Sequence, residues 1–174
     1  MTKSAARRSA IVDALADHVL DNGLGASSLR DLAQAAGTSD RMLLYYFADK
    51  VELIGATLAR ISERLVAIMA QRSGAAPRDF ATVRQEVAQV VLSNDLWPYM
   101  RIWLELASLS AFGEPMYRTV GEAIGRGFYA WGLAQLDIPD EQECAREAAR
   151  LLVFAEGLVL LKSLGLDDIA HNSI

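Results

Sequence analysis

Apolar residues recur with helical spacing along almost the whole chain. From about residue 4 to residue 22, apolar positions three and four residues apart form one stripe, which consists of Ile11, Ala14, Leu15, His18 and Val19. Gly23 and Gly25 follow, and glycine adopts the left-handed conformation that ends helices at little cost. No run of alternating apolar and polar residues predicts a strand. The pattern predicts an all-α chain of about nine helices.

Helix-start signals place two short helices and a longer one after this first helix. Ser28 and Asp31 have the spacing of a capping box, in which the first side chain accepts a hydrogen bond from the backbone N–H three residues later. The same spacing recurs at Asp49 and Glu52. These signals predict helices over residues 28–36, 38–47 and 49–71.

Proline and glycine residues divide the rest of the chain into longer helices. Gly74 and Pro77 predict a break after the helix that starts near Asp49. Asp95 is expected to cap a helix that carries Pro98 in its first turn, where proline is tolerated. The predicted helices cover residues 78–92, 95–111, 115–136 and 141–164, and the tail over 165–174 is expected to be poorly ordered.

The composition narrows the class of protein. The chain has 174 residues, of which 52% are apolar and 22% charged, and its formal net charge is −5, as in an ordinary globular protein. Cys144 is the single cysteine, so no intramolecular disulfide can form and a reducing, cytoplasmic setting fits. The sequence has no cluster of residues with metal-ligand spacing and no catalytic motif. It also has no apolar stretch of the ~20 residues needed to span a membrane. We therefore expect no metal or other cofactor, no enzyme activity and no membrane partner.

Residues 28–47, SLRDLAQAAGTSDRMLLYYF, have the pattern of a helix-turn-helix, in which two short helices are joined by a glycine-centred turn. Ala33 is small, as it must be where the second helix crosses close to the first. Gly37 permits the positive φ of the turn, while Leu32 and Leu43 are expected to fill the space between the helices. In such a motif the second helix lies in the DNA major groove and presents its N-terminal residues to base edges.

The run AAGTS at residues 35–39, followed by Leu43, Tyr46, Phe47 and Lys50, resembles the N-terminal domain of the TetR family of transcriptional regulators. The resemblance implies a three-helix DNA-binding head joined to an α-helical body that binds a ligand and forms a dimer. It also implies, as is usual in the family, repression that a small molecule relieves.

The resemblance is specific over about residues 7–55. It divides the chain into a helix-turn-helix head over residues 1–48 and an effector-binding and dimerisation body over residues 49–174. Two positions depart from the family's pattern: Leu44 stands where tyrosine is common, and Arg41 stands where a small residue is common. Leu44 removes one usual phosphate contact, whereas the side chain of Arg41 can read a guanine edge bidentately.

The candidate DNA contacts are polar, basic or apolar residues on or beside the two helices of this motif. Hydroxyl groups at a helix N-terminus and exposed basic side chains favour phosphate. Met42 can touch a thymine methyl or pack inward, and the two tyrosines can contact the DNA backbone or belong to the core. The candidates are Arg30, Thr38, Ser39, Arg41, Met42, Tyr45, Tyr46 and Lys50.

Eight of the thirteen aromatic residues lie between residues 97 and 131. They can simply form a core, but tryptophan and tyrosine also suit an apolar pocket with a few orienting polar groups. We expect a small, mostly apolar effector there. In the same region Arg101 and Glu105, four residues apart, are expected to form a surface ion pair. The predicted pocket residues are Trp97, Met100, Trp103, Phe112, Tyr117, Phe128 and Trp131.

Residues 151–161, LLVFAEGLVLL, are apolar on every side of a helix apart from Glu156 and Gly157. Such a helix needs cover on all sides, so one side is expected to face a partner. The preceding helix is rich in glycine, which costs about 0.8–1 kcal/mol per residue relative to alanine unless close helix approach compensates. We predict a homodimer through these last two long helices, with an interface at Gly121, Gly125, Leu152 and Val159.

The charge distribution bears on the partner. Residues 1–50 hold six basic and six acidic side chains, so the rest of the chain carries the whole net charge of −5. The acidic total therefore permits a local basic patch that binds DNA.

The sequence predicts a DNA-binding transcriptional regulator that reads a pseudo-palindromic, double-stranded DNA operator and responds to a small-molecule effector. Repression is implied by the family resemblance. Two alternatives stay open. One is a small all-α enzyme that uses the aromatic pocket, and the other is a helical ligand-binding or protein-interaction module that has lost DNA binding.

Overall fold

Nine α-helices account for most of the residues that the computed structural model describes, which are 2–25, 28–72 and 76–174. The helices are α1 (Lys3–Asn22), α2 (Leu29–Ala35), α3 (Asp40–Tyr46), α4 (Lys50–Arg72), α5 (Phe80–Val91), α6 (Trp97–Ala111), α7 (Pro115–Gln135), α8 (Glu141–Ser163) and α9 (Asp167–Asn172). The predicted all-α architecture is confirmed. The break predicted at Gly74 lies outside the described residues. None of the nine described helices is long and apolar enough to cross a membrane.

Side-chain caps start the short helices of the head where the sequence predicts them. Ser28 accepts a hydrogen bond from the backbone N–H of Asp31 at 3.2 Å, and Ser39 accepts one from the N–H of Met42 at 3.3 Å. Each bond satisfies a backbone N–H that has no partner within its own helix. α2 and α3 therefore each begin at the residue after the capping serine.

Two hydrogen bonds from backbone N–H groups to side-chain carboxylates hold the start of α4. Asp49 Oδ1 accepts from the N–H of Glu52 at 2.8 Å, and Glu52 Oε2 accepts from the N–H of Ala48 at 2.6 Å. Glu52 also forms an ion pair with Arg8 of α1 at 2.9 Å. The pKa of Glu52 is lowered because the N–H of Ala48, and then Arg8, stabilise the charged carboxylate. The predicted cap by Asp49 is confirmed, but Glu52 accepts from the N–H of Ala48 and not, as a full capping box requires, from that of Asp49. Together with Arg8, Glu52 ties the end of the helix-turn-helix to α1.

One hydrophobic core, the head core, joins the head to the body. Buried side chains of α1, α2 and α3 pack against α4 and against Ile102 and Leu106 of α6. Because this core continues across residue 48, helices of the head and the body pack directly on one another, and the division into residues 1–48 and 49–174 stays a prediction. The largest fully buried members of this core include Ile11, Leu15, Leu32, Leu43, Phe47, Leu53 and Leu58.

A second core lies between α5 and α8 and extends to α6, α7 and α9. The segment before α5 is held against the end of α7, because the N–H of Arg78 donates to the carbonyl oxygen of Gln135 at 2.8 Å and the N–H of Asp137 donates to that of Arg78 at 2.9 Å. The buried members of this second core include Val83, Val87, Leu151, Leu158 and Ala170.

The expectation that Asp95 caps α6 is wrong. α6 begins at Trp97, after Leu96, and no side chain caps it. Asp95 instead forms an ion pair with Arg72 at the end of α4. A carboxylate near a helix start can bind either the free N–H groups of that helix or a nearby basic side chain. Here the end of α4 brings Arg72 to Asp95, and the ion pair forms.

The expectation of a disordered C-terminal tail is also wrong. α9 has six residues and buries Ala170 completely in the second core. Arg84 of α5 donates to the carbonyl oxygens of Ser173 at 3.4 Å and Ile174 at 2.6 Å, which holds the end of the chain. A helix this short is marginal on its own and shows little periodicity, so its docking against α8 stabilises it.

Ion pairs connect α1 to α4. Asp13 pairs with Arg60 and, at 3.1 Å, with Arg64, while Asp17 pairs with Arg64 at 2.6 Å. The hydrogen bond from Arg60 is the main cause that lowers the pKa of Asp13. Two acidic residues of α1 are thus matched by arginines and are not left to repel a polyanion.

These pairs are expected to make the stability of the protein depend on acid pH. The folded-state pKa of Asp13 lies below its unfolded value of about 3.9, so the ionised carboxylate adds stability above that pH and loses it as the pH falls through the folded-state pKa. Asp13→Asn should lower the midpoint of thermal unfolding at pH 7 and have a clearly smaller effect near pH 3. Asp21→Asn, at an exposed position of the same helix, is the matched control. Equal losses at both pH values would mean that the charge of Asp13 is not the cause.

Candidate nucleic-acid interface and body cavity

The helix-turn-helix predicted over residues 28–47 is formed by α2, a tight turn and α3. The N–H of Thr38 donates to the carbonyl oxygen of Ala33 at 2.9 Å, and the N–H of Gly37 donates to that of Gln34 at 3.1 Å. Gly37 has a φ of +59°, a left-handed conformation that strains residues with a Cβ. The turn therefore depends on glycine at this position and sets the angle at which α3 leaves α2.

α3 buries one side and exposes another. Leu43 is fully buried in the head core, whereas Arg41, Met42 and Tyr45 are exposed, Tyr45 to 72%. Residues three and four apart are neighbours on a helix surface, so Tyr45 lies beside both Arg41 and Met42, and the three side chains form one patch. Met42 does not pack inward, and this patch is the part of α3 that is able to reach base edges.

Four of the predicted phosphate contacts, two basic residues and two residues with hydroxyl groups, lie before or after this patch in the sequence. Arg30 on α2 and Lys50 at the start of α4 are exposed and free to meet phosphate. Ser39 is exposed, but its hydroxyl already accepts the capping hydrogen bond of α3. Thr38 is half-buried in the turn. Arg30 and Lys50 are therefore the stronger phosphate candidates of the four.

The two tyrosines of α3 differ in their surroundings. Tyr46 is half-buried and packs against the head core, with its ring 5.1 Å from that of Tyr45 in an edge-to-face arrangement. Tyr45 projects outward from this pair. Leu44, which replaces the tyrosine common in the family, is exposed and offers no hydrogen bond. Tyr45 is accordingly the tyrosine placed for a DNA contact, and Tyr46 supports it.

The first turns of α1 add basic side chains beside α3. Lys3 and Arg7 line a groove together with Tyr45. The sequence reasoning missed these two residues, because their closeness to α3 depends on how α1 packs; the basic cluster near the N-terminus was the available signal. Arg8 behaves differently, since its guanidinium stacks 4.5 Å from the centre of the Phe47 ring. Lys3 and Arg7 therefore join the candidate phosphate contacts.

We expect Lys50 to contact phosphate rather than a base. Lys50→Ala should weaken binding to all DNA sequences by a similar factor and reduce the slope of log affinity against log salt by about 1 per protomer. Titration of labelled duplexes at several salt concentrations measures both quantities. Arg118→Ala, at an exposed position of α7, is the control and should change neither. A loss confined to one DNA sequence would assign Lys50 to base recognition instead.

A cavity of about 110 Å³ lies in the body and is lined by residues of α4, α5, α6, α7 and α8. Three of the predicted pocket residues, Met100, Trp103 and Phe128, are in its wall. The wall also includes Leu58 of α4, which the sequence reasoning missed, because no pattern links it to the aromatic cluster. Glu156 is the one charged residue among the described residues of the wall. An apolar cavity of roughly 150 Å³ can bind benzene, so this cavity of about 110 Å³ suits an organic group smaller than benzene.

The structure places the other predicted pocket residues outside the cavity wall. Phe112 is 87% exposed just after α6. Trp97 packs against Lys162, whose Nζ lies 4.7 Å from the ring centre. Tyr117 packs against the head core, and Trp131 packs in the second core. Aromatic density located the region but not the inward-facing residues, which depend on the rotation of α6 and α7.

The predicted interface residues face the interior of the protomer. A Cβ at Gly121 would lie 2.8 Å from the side chain of Leu106 on α6. Gly125, Leu152 and Val159 line the cavity, and Val159 is almost fully buried. Glycine does permit close helix approach at Gly121, but between α7 and α6 of one chain. A dimer formed through α7 and α8, as predicted, would therefore use other sides of these two helices.

α6 holds the C-terminal end of α1. Glu105 accepts hydrogen bonds from the N–H groups of Leu24 and Gly25, both at 2.7 Å. Arg101 donates to the carbonyl oxygen of Leu20 at 2.8 Å. The expected ion pair between Arg101 and Glu105 is wrong, because both side chains bind the head. Since α6 also forms part of the cavity wall, one helix connects the cavity to the head.

Comparison with known proteins agrees with this geometry. The family model for bacterial regulatory proteins of the tetR family matches residues 11–57, from α1 into α4. The HTH-type transcriptional regulator BetI of Paraburkholderia phymatum is 31% identical over 167 residues, which are 92% of this chain and 83% of that protein.

Solved structures share the fold over a similar length. A protein of Streptomyces coelicolor A3(2), described as a transcriptional regulator, has a TM-score of 0.72 and 27% identity over 95% of this chain and 96% of its own. A transcriptional regulator of Rhodococcus sp. Rha1 has a TM-score of 0.72 and 21% identity over 88% of this chain and 81% of its own. Because the family model, a relative matched along most of its length and the helix-turn-helix agree, this protein belongs to the TetR family and is a DNA-binding transcriptional regulator.

Proposed function

We propose that this regulator is a cytoplasmic homodimeric repressor that a small, mostly apolar ligand releases from a pseudo-palindromic operator. The observation that carries the proposal is the double role of α6. This helix lines the body cavity and, through Glu105 and Arg101, binds the end of α1 in the head. A ligand that shifts α6 therefore acts on the position of α3. The relatives are transcriptional regulators, so we set the small-enzyme alternative aside.

The proposed DNA contacts divide into base readers and phosphate anchors. Arg41 and Met42 on the exposed patch of α3 are the base readers, because they lie in its first turn, the part of a recognition helix that contacts base edges. The exposed basic side chains beside α3 are the anchors, which position the head without reading sequence. The anchors are Lys3, Arg7, Arg30 and Lys50.

Release requires that the ligand prefer one arrangement of the two heads. A ligand shifts the equilibrium between a DNA-competent and an incompetent conformation only by its difference in affinity for the two. The cavity lies between α6 and the helices α4, α5, α7 and α8, so filling it changes the packing of α6. The hydrogen bonds of Glu105 then convey that change to α1.

Exposed stripes on α7 and α8 favour a four-helix dimer interface. Val153, Leu160 and Leu164 follow one side of α8 and its C-terminal cap, and Gly157 on the same side has nothing within 4 Å of a built Cβ. Small side chains on α7 repeat with the same spacing and are also exposed. Apolar and small residues of this kind allow two copies to approach closely about a two-fold axis. The exposed small residues of α7 are Ala123, Gly127, Ala130 and Ala134.

Val153→Asp is expected to convert the dimer into a monomer. Val153 is 72% exposed in the single chain, so a charge there is tolerated by the protomer but would be buried without a partner in the dimer. Analytical ultracentrifugation at micromolar concentration measures the change. Val66→Asp, at a valine of α4 that is 66% exposed, is the matched control and should stay dimeric. A dimeric Val153→Asp variant would move the interface to another surface.

The proposed function is tested by selecting bound duplexes from a random library and then adding hydrophobic compounds to the complex. We expect a recovered sequence with two related half-sites and release of that DNA by at least one compound that also changes tryptophan emission. Recovery of no sequence would favour the alternative of a ligand-binding or protein-interaction module. DNA binding that no compound in a broad library weakens would contradict the ligand-responsive part.

A further inference from the structure

Glu156 is a carboxylate in an otherwise apolar wall. It lies midway along α8, where the side chains around it in sequence, Ala155, Leu158 and Val159, are buried. The described residues that share the cavity wall with it are apolar or aromatic apart from the hydroxyls of Ser62 and Tyr99. Among its described residues, the cavity wall therefore holds one charged group.

Among the residues that the structure describes, the carboxylate of Glu156 has one hydrogen-bond donor and no cationic partner. Trp103 Nε1 donates to Glu156 Oε2 at 2.6 Å. Over residues 2–25, 28–72 and 76–174, no arginine, lysine or histidine forms an ion pair with Glu156. Burial raises the pKa of Glu156, and the hydrogen bond from Trp103 only partly offsets that effect. The cost of burying this carboxylate is thus only partly offset by its described neighbours.

Aromatic side chains line the same space. Tyr99, Trp103 and Phe128 line the cavity together with Glu156. An aromatic ring attracts a cation over its face, by about 0.5–1 kcal/mol at exposed sites and about 2 when the cation is desolvated. A carboxylate and several rings around one small cavity offer a positive group both a counter-charge and apolar contact. A neutral apolar ligand would use the rings but would leave the charge unpaired.

We propose that the ligand of this cavity is a small organic cation, with an ammonium group against Glu156 and an apolar body against the rings. This inference rests on the proposed function, in which the cavity is the effector site. The ammonium group supplies the counter-charge that the carboxylate of Glu156 lacks, and the aromatic side chains replace the water that the ammonium group loses. An organic anion is disfavoured, because it would meet the carboxylate with a like charge and no basic residue.

Three small compounds with a three-carbon skeleton and different heads test the charge preference: propylamine, propan-1-ol and propionate. Calorimetric titration of the full-length protein measures each Kd without relying on Trp103 emission. We expect the amine to bind at least about tenfold more tightly than the alcohol, and the carboxylate to bind most weakly. Equal affinities of amine and alcohol, or tighter binding of the carboxylate, would overturn the assignment.

Glu156→Gln keeps the size of the side chain and removes its charge. This variant should bind the amine as weakly as the alcohol, while its affinity for the alcohol should match that of the unmodified protein. Glu156→Asp, which keeps the charge with a shorter reach, should retain part of the preference. Glu141→Gln is the matched control, since Glu141 is an exposed carboxylate of the same helix outside the cavity. An unchanged preference in Glu156→Gln would overturn the role of this residue.

Release of operator DNA separates this inference from the proposed function. If the alcohol and the amine bind with equal affinity and both release DNA, the effector site stands and the preference for a cation fails. If none of the three compounds binds, both the effector site and the charge preference fail for ligands of this size. If the amine binds tightly through Glu156 and DNA stays bound, the cation site stands and the release mechanism fails.

Discussion

Replacing Arg41 with alanine is expected to weaken binding to the selected operator by about 30-fold or more. A bidentate contact from arginine to a guanine edge contributes about 1–3 kcal/mol of discrimination, and the proposed symmetric dimer would make this contact twice. Arg41 is exposed in the first turn of α3, beside Met42 and away from the buried Leu43. The variant should therefore fold normally, lose affinity for its own operator and tolerate any base pair at one position in each half-site.

Competition binding against duplexes with single base-pair changes measures this loss of specificity. Arg41→Lys is a useful companion, because lysine keeps the charge but lacks the planar fork that reads guanine. We expect it to recover affinity for all sequences without recovering discrimination. A loss for Arg41→Ala that is equal on every duplex would reassign Arg41 to the phosphate backbone.

Replacing Glu105 with alanine is expected to loosen the connection between cavity and head. The substitution removes the charged acceptor of the N–H groups of Leu24 and Gly25. Hydrogen bonds to charged groups contribute about 1.5–3 kcal/mol, so a loss of about 2 kcal/mol should lower the unfolding midpoint by about 4–8 °C. The ligand should still bind, because Glu105 does not line the cavity.

The functional effect of Glu105→Ala is a smaller difference in DNA affinity between the ligand-free and ligand-bound protein. Calorimetry gives the affinity for the ligand, and operator titration with and without ligand gives the coupling. Glu122→Ala is the control, since it removes an exposed ion pair with Arg126 on α7 that contributes little. Full release of DNA by ligand in Glu105→Ala would mean that the coupling runs through other contacts, such as the head core around Leu106.

The head could be predicted from the sequence in detail because its determinants are local. Ser28 and Ser39 each cap a helix by accepting a hydrogen bond from the backbone N–H three residues later. Gly37 adopts the positive φ that the turn needs. Such signals act over three or four residues and leave a readable pattern. Lys3 and Arg7 were not predicted, since their place beside Tyr45 follows from the packing of α1.

The body was predictable only in outline. Helix boundaries followed from proline, glycine and capping residues, but the rotation of each helix did not. Phe112 was expected in the pocket and is exposed, while Val159 was expected at the interface and is buried. The residue type does not distinguish these locations, because phenylalanine and valine are both apolar and apolar side chains occur in cores, in pockets and at interfaces. Only the packing of α6, α7 and α8 separates core, cavity and outer surface.

The sequence by itself determined the all-α class, the helix-turn-helix and its exposed candidate Arg41, because each depends on spacing within a few residues. Tertiary structure alone decided the rest. Packing brings residues distant in sequence together around one cavity, where Trp103 donates a hydrogen bond to Glu156. Packing also directs Glu105 to the backbone of Leu24 in the head, and not to Arg101 as expected. The physical reason is that burial and counter-charges are properties of packed neighbours, and a helical pattern shows which residues share a face but not what that face meets.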